Sequence, residues 1–146
     1  MTAHNGGCHC GNIRLIFSSV IEPGRMEVRA CQCSFCRRHG SLAVADPGGA
    51  LMIAVKDGAL LQRYMFGLRT AEYLICRECG VYVAAMTRDD DPRAIVIINA
   101  LDDRRRFDQR PIAANFDLES MEERLVRRRA RWMPVTMRSV SPERGG

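Results

Sequence analysis

Lysine is almost missing from this chain: Lys56 is the only one among 22 basic residues, and arginine supplies the rest. Its cations therefore keep their charge at any accessible pH and offer planar forks for carboxylate or phosphate. Long apolar runs are missing too. None approaches the roughly 18 residues of a membrane span, so no membrane helix is expected. The opening residues, Met1-Thr2-Ala3-His4-Asn5-Gly6-Gly7, contain no basic segment leading into an apolar one. No secretory signal is expected, and the expected compartment is the cytoplasm. There is no internal repeat and no low-complexity linker, which argues against a solenoid or tethered domains. Aromatic residues make up only 6%, with Trp132 the single tryptophan. That is too few to interleave with basic residues as a single-strand nucleic-acid surface requires, so nucleic acid is the least favoured partner.

What is present fits one soluble domain over residues 1–146, with 47% hydrophobic and 27% charged residues. Folding at this length buries roughly 68–70% of the unfolded surface. Seven cysteines stand out. The number is odd, so disulfides cannot pair them all, and a cytosolic chain keeps them reduced. They form Cys8-x-Cys10, Cys31-x-Cys33-x-x-Cys36 and Cys76-x-x-Cys79 followed by Gly80. Reduced thiols clustered at such spacings point to zinc. A closed structural site takes four ligands, whereas three protein ligands leave a position open for substrate. The compact triplet can cover one face of a metal alone. Cys8, Cys10, Cys76 and Cys79 are therefore assigned to a structural zinc, and Cys31, Cys33 and Cys36 to a second, catalytic zinc. Spacing leaves open an exchange in which Cys8 and Cys10 join part of the triplet, and it leaves open whether the second site fills. Ionising all seven thiols would take the formal charge from +5 to −2, and two zinc ions would return it to +2.

The first two thirds of the chain read as β-rich. Alternation or short apolar runs predict strands at residues 13–17, 26–30, 42–45, 51–55, 60–66, 73–76, 81–86 and 94–99. A short helix, Ser34 to His39, is predicted after Cys33, with its free N–H groups turned to the thiolates. Arg37 and Arg38 beside it are candidate substrate-binding residues, and Arg69 is a weaker one. His39 is a candidate ligand or proton carrier, set against a plain surface histidine. Arg88-Asp89-Asp90-Asp91-Pro92 reads as a solvated loop. Ser120-Met121-Glu122-Glu123 predicts a capping box opening a C-terminal helix. Met121, Leu125 and Trp132 are expected to share its core face, with Arg124, Arg127, Arg128, Arg129 and Arg131 around them in solvent. Residues 139–146 are expected to fray, and His4 and His9 are given no role.

At these residues the chain resembles the glutathione-dependent formaldehyde-activating enzymes, whose domain is shared with centromere protein V. The matching stretches are Gly6-Gly7-Cys8-His9-Cys10-Gly11, Cys31-Gln32-Cys33-Ser34-Phe35-Cys36-Arg37-Arg38 with Gly40, and Cys76-Arg77-Glu78-Cys79-Gly80-Val81-Tyr82. Phe66-Gly67 with Thr70-Ala71, Leu101-Asp102-Asp103 and Asn115-Phe116-Asp117 look like the centromere-protein-like branch. The likeness covers about residues 5–118, and the basic helix and tail at 119–146 lie beyond it. It implies a mainly β fold of several coiled antiparallel sheets stapled by zinc. It also implies that the outer cysteine pairs hold the structural zinc and the triplet the catalytic one. The implied reaction adds a thiol, glutathione, to formaldehyde or a related small carbonyl, or runs in reverse. This is carbon–sulfur lyase chemistry of the S-(hydroxymethyl)glutathione synthase type. The alternative is a non-catalytic zinc-binding module that meets a protein partner through a basic surface. The sequence does not set the oligomeric state.

Overall fold

Alternation in one strand starts the core. In β2 (Ile13–Ser19), Ile13, Leu15 and Phe17 are buried while Arg14 and Ile16 face out. They pair across the ladder with Val55, Ile53 and Leu51, in that order, of β5 (Ala50–Asp57), which are buried in turn. Each such side chain contributes about 1.5–3 kcal/mol on burial. The computed structural model describes residues 1–141.

The other elements, in chain order, are β1 (Thr2–Gly7), β3 (Arg29–Cys31), α1 (Ser34–His39), β4 (Ala43–Val44), β6 (Leu61–Tyr64), β7 (Ala71–Cys76), β8 (Tyr82–Thr87), β9 (Arg93–Ile97), β10 (Ile112–Ala114), α2 (Met121–Arg131) and β11 (Met133–Ser141). The fold is mainly β. The strands run in the order β1-β2-β5-β11-β9-β4-β3-β10, and β8, β7 and β6 branch from β9. Pairing is not antiparallel throughout: β11 runs parallel to β5, and β10 parallel to β3. Both late strands reach partners far back in sequence, and such long connections permit parallel pairing. No helix among the described residues is long and apolar enough to cross a membrane.

Three strands escape the sequence pattern. In β1, alternation is carried by a polar residue and a glycine: His4 points inward and is 1% exposed, between Phe17 and Phe107. Its Nδ1 lies 2.7 Å from Asp103 Oδ2. His4, given no role above, thus fastens the first strand to a loop 99 residues away. Replacing His4 by Ala leaves a hole and strips the carboxylate of a partner. The variant is expected to lose about 2–4 kcal/mol of stability, read as a lower denaturant midpoint.

The segment 26–30 also differs from expectation. A 3-10 turn at Pro23–Arg25 precedes it, and pairing begins only at Arg29. Residues 139–141, expected to fray, lie on β5 with Ser139 opposite Val55 and Ser141 opposite Asp57. The rest of that expectation, residues 142–146, lies outside the described residues.

The capping box of α2 forms as predicted: Glu123 N–H donates to Ser120 Oγ at 3.1 Å, and Ser120 N–H to Glu123 Oε1 at 3.0 Å. The face is the opposite of the expected one. Met121 and Leu125 are exposed, whereas Arg128 is 4% exposed and faces the protein with Arg124 and Arg127. Only Trp132, just past the helix, keeps its predicted place in the core.

Candidate functional site

Two hairpins deliver the first cysteine group. Cys8 follows β1, and the chain reverses through Gly11, whose φ of +87° suits glycine. Gly11 N–H donates to Cys8 O at 3.2 Å. After β7, a second tight turn places Gly80 at φ +79°, with its N–H on Cys76 O at 2.8 Å. The sulfurs of Cys8, Cys10, Cys76 and Cys79 all lie within 4.8 Å of one another. Cys10 Sγ is 3.7 Å from Cys8 Sγ and 3.6 Å from Cys76 Sγ. A tetrahedron with zinc–sulfur bonds of about 2.3 Å has edges of about 3.8 Å, so the set fits a zinc ion. Backbone donors prepare it: Ile13 N–H reaches Cys8 Sγ at 3.2 Å. Burial pushes the Cys8 thiol up, and Cys76 to about 12. Burial also acts upward on Cys79, but hydrogen bonds from the N–H groups of Cys10 and Val81 and from the neighbouring thiols outweigh it, bringing Cys79 to about 6.

The second group is built by the step from β3 into α1. Cys31 ends the strand and Cys33 is the helix N-cap, its Sγ accepting from Cys36 N–H at 3.4 Å. One turn on, Cys36 is buried beside it. The three sulfurs lie within 4.8 Å of one another. This set also fits a thiophilic divalent ion, with three protein ligands rather than four. The Cys36 thiol donates to Cys31 and holds it down at about 6 against the effect of burial. Cys36 itself is pushed far up, first by that hydrogen bond and then by burial, and burial also raises Cys33. A thiolate exists above its pKa. In metal-stripped protein held at a temperature where it stays folded, iodoacetamide is therefore expected to modify Cys31 and Cys79 with rates that rise through about pH 6, ahead of Cys8, Cys33, Cys36 and Cys76. Peptide mapping after alkylation at pH 6.5–7 checks the order.

The two groups differ in what they face. The trio opens on a cleft of about 600 Å³, and none of the four-sulfur set lines it. Of the predicted substrate residues, Arg37 lines the cleft. Arg38 does not: it is exposed, and its guanidinium donates to Ser34 O in its own helix at 3.2 Å. Arg69 lies off the cleft as well. His39 is exposed, packs at a tilt against Phe35 with ring centroids 4.5 Å apart, and is not among the clustered ligands. The opposite wall comes from α2 and the chain before it, with Glu119, Arg124, Arg127, Arg128 and Trp132. Sequence reasoning put these arginines in solvent. The signal against that was the helix's own composition: Met121, Leu125 and Val126 are too few and too scattered to form a core stripe. Outside the cleft, Arg129 is taken up by Asp89 and Asp91, each at 2.9 Å, so the acidic loop serves as a clasp for α2.

Comparisons with known proteins bear on the fold that carries these groups. A crystal structure of a Rhodobacter sphaeroides protein is 32% identical, covering 67% of this chain and 87% of that one, with a TM-score of 0.53. The family model described as glutathione-dependent formaldehyde-activating enzyme matches residues 3–116, which takes in all seven cysteines and stops before α2. The chain belongs to the glutathione-dependent formaldehyde-activating enzyme family.

Proposed function

We propose that this protein is a zinc-dependent carbon–sulfur lyase that adds a thiol, glutathione in the first instance, to formaldehyde or a similar small carbonyl. The observation that carries the reading is the contrast between the two sulfur groups: the three-cysteine group opens on the large cleft and the four-cysteine group does not. Cys31, Cys33 and Cys36 would hold the catalytic ion, and Cys8, Cys10, Cys76 and Cys79 a structural one. When bound, the catalytic ion supplies a position for the incoming thiol and favours its thiolate. The new bond joins that sulfur to the carbonyl carbon, and the carbonyl oxygen takes up a proton. Tyr73 lines the cleft and is held protonated, because burial lifts its pKa to about 12; it can offer a hydrogen bond to that oxygen. The arginines of the cleft suit a thiol that carries carboxylates. Seven free cysteines suit a reducing compartment such as the cytoplasm. The alternative, a partner-binding module with a basic face, is weakened by the inward turn of Arg124, Arg127 and Arg128.

The test is exchange NMR on ¹³C-formaldehyde and glutathione with zinc-loaded protein. The reading expects interconversion with S-(hydroxymethyl)glutathione above the spontaneous rate, in proportion to protein. A rate equal to the spontaneous one would overturn it.

A further inference from the structure

Among the charged side chains that line the cleft, the one that is fully buried, Arg128, has no counter-charge among the described residues. Arg127 grips Glu119 through both carboxylate oxygens, at 2.8 and 3.0 Å, and Arg124 lies 3.6 Å from the same group. Arg29 pairs with Glu27 at 3.2 Å. Arg37 is exposed and rests on Gln32 O. Arg128 is 4% exposed and makes no ion pair among the described residues. One of its terminal nitrogens donates to Thr70 Oγ1 at 2.5 Å, and its guanidinium lies 4.8 Å from the centre of the Trp132 ring. Its Nε is buried with no hydrogen-bond partner. A buried cation without an anion is costly, and such groups persist where something repays the cost. Burial lowers Arg128 to about 10, so it remains charged at neutral pH.

The whole cleft leans the same way. Five arginines and two carboxylates line it, an excess of three positive charges. Three thiolates around one divalent ion would remove only one of these. Arg128 also sits on α2, outside the stretch that matches the family model. Whatever it recognises is a property of this chain's own C-terminal element.

We propose that Arg128, steadied by Thr70 and Trp132, is the anion subsite of the cleft, and that the thiol accepted beside Cys31, Cys33 and Cys36 carries a carboxylate bound there. This deepens the reading above and rests on it for the thiol. It makes Arg128 a specificity-determining residue: acidic thiols are taken, and neutral or cationic thiols of the same length are discriminated against.

The experiment titrates cobalt-substituted protein with 3-mercaptopropionate, 3-mercapto-1-propanol and cysteamine, following the sulfur-to-cobalt absorption band. In the native protein the acid is expected to bind about tenfold or more tighter than the alcohol, with cysteamine weakest. In Arg128→Met the acid and the alcohol become equal, and in Arg128→Lys part of the preference returns. Thr70→Val, a milder change, reduces the preference if the arginine variants do not fold. Glutarate, which has no sulfur, is expected to raise the melting temperature of the native protein but not of Arg128→Met. Equal binding of acid and alcohol to native protein would overturn the subsite and leave the thiol reading standing. If no thiol alters the band, the thiol reading fails, and glutarate alone then decides the subsite: stabilisation that needs Arg128 supports it, and no stabilisation ends it.

Discussion

Cys79→Ser is expected to lower the melting temperature by about 10 °C or more, or to prevent folding outright. A serine hydroxyl stays protonated where a thiolate binds metal, so the four-sulfur set loses a ligand. What it joins explains the size of the effect. The set ties the turn after β1 to the turn after β7, and Cys10 and Cys76, with sulfurs in contact, are 66 residues apart. Structural zinc supplies about 10–16 kcal/mol in zinc-finger peptides, as much as the whole stability of many domains. Losing even about 3–4 kcal/mol of that shifts the midpoint by about 10 °C at this size. Thermal melts in excess zinc, with metal content measured on the same samples, check the claim. A strong chelator added to the native protein should produce a matching drop. A variant that melts like the native protein would show that this sulfur set does not hold the fold together.

Much of this arrangement was legible in the sequence, because its signals are local. Strands such as β2 and β5 alternate over a few residues. The capping box is four residues long, and the cysteine spacings mark two tight turns and a strand-to-helix step. What was not legible depends on partners distant in sequence. β1 reads as Thr-Ala-His-Asn-Gly-Gly, and nothing local says that His4 meets Asp103 or lies between two phenylalanines. β11 does alternate, with Met133 and Val135 buried, but Pro134 and an adjoining arginine-rich helix hide the pattern. The face of α2 was misread for a related reason. Arginine is normally placed in water on account of its charge, but here Glu119, Thr70, Phe116 and Trp132 draw the guanidiniums inward. The long aliphatic stems make that burial tolerable. As a result, the cysteine motifs could be found from spacing, while their partition into two groups and the second wall of the cleft needed the fold.

Cys33→Ser should do the reverse of Cys79→Ser: keep the fold and abolish the chemistry. Cys33 is both a member of the trio and the N-cap of α1, its Sγ accepting the Cys36 N–H at 3.4 Å. Serine is among the best N-cap residues, so its shorter side chain can take over the cap while failing as a metal ligand. The helix therefore keeps its first turn, and Cys36 stays buried where it is. The melting temperature is expected to stay within about 3 °C of the native value, since only a small difference in capping separates the two. Zinc content should fall by about one ion per chain, because two remaining sulfurs are a poor site. The rate of thiol addition to formaldehyde is expected to fall by about 100-fold or more, to the spontaneous level, as disturbing a metal's surroundings alone costs about 10–100-fold. Melts, metal content and exchange NMR on one preparation separate the outcomes. Unfolding with loss of all zinc would reverse the roles of the two sulfur groups, because the trio would then be the one that holds the chain together. Full activity with a missing ion would remove the trio from the reaction altogether.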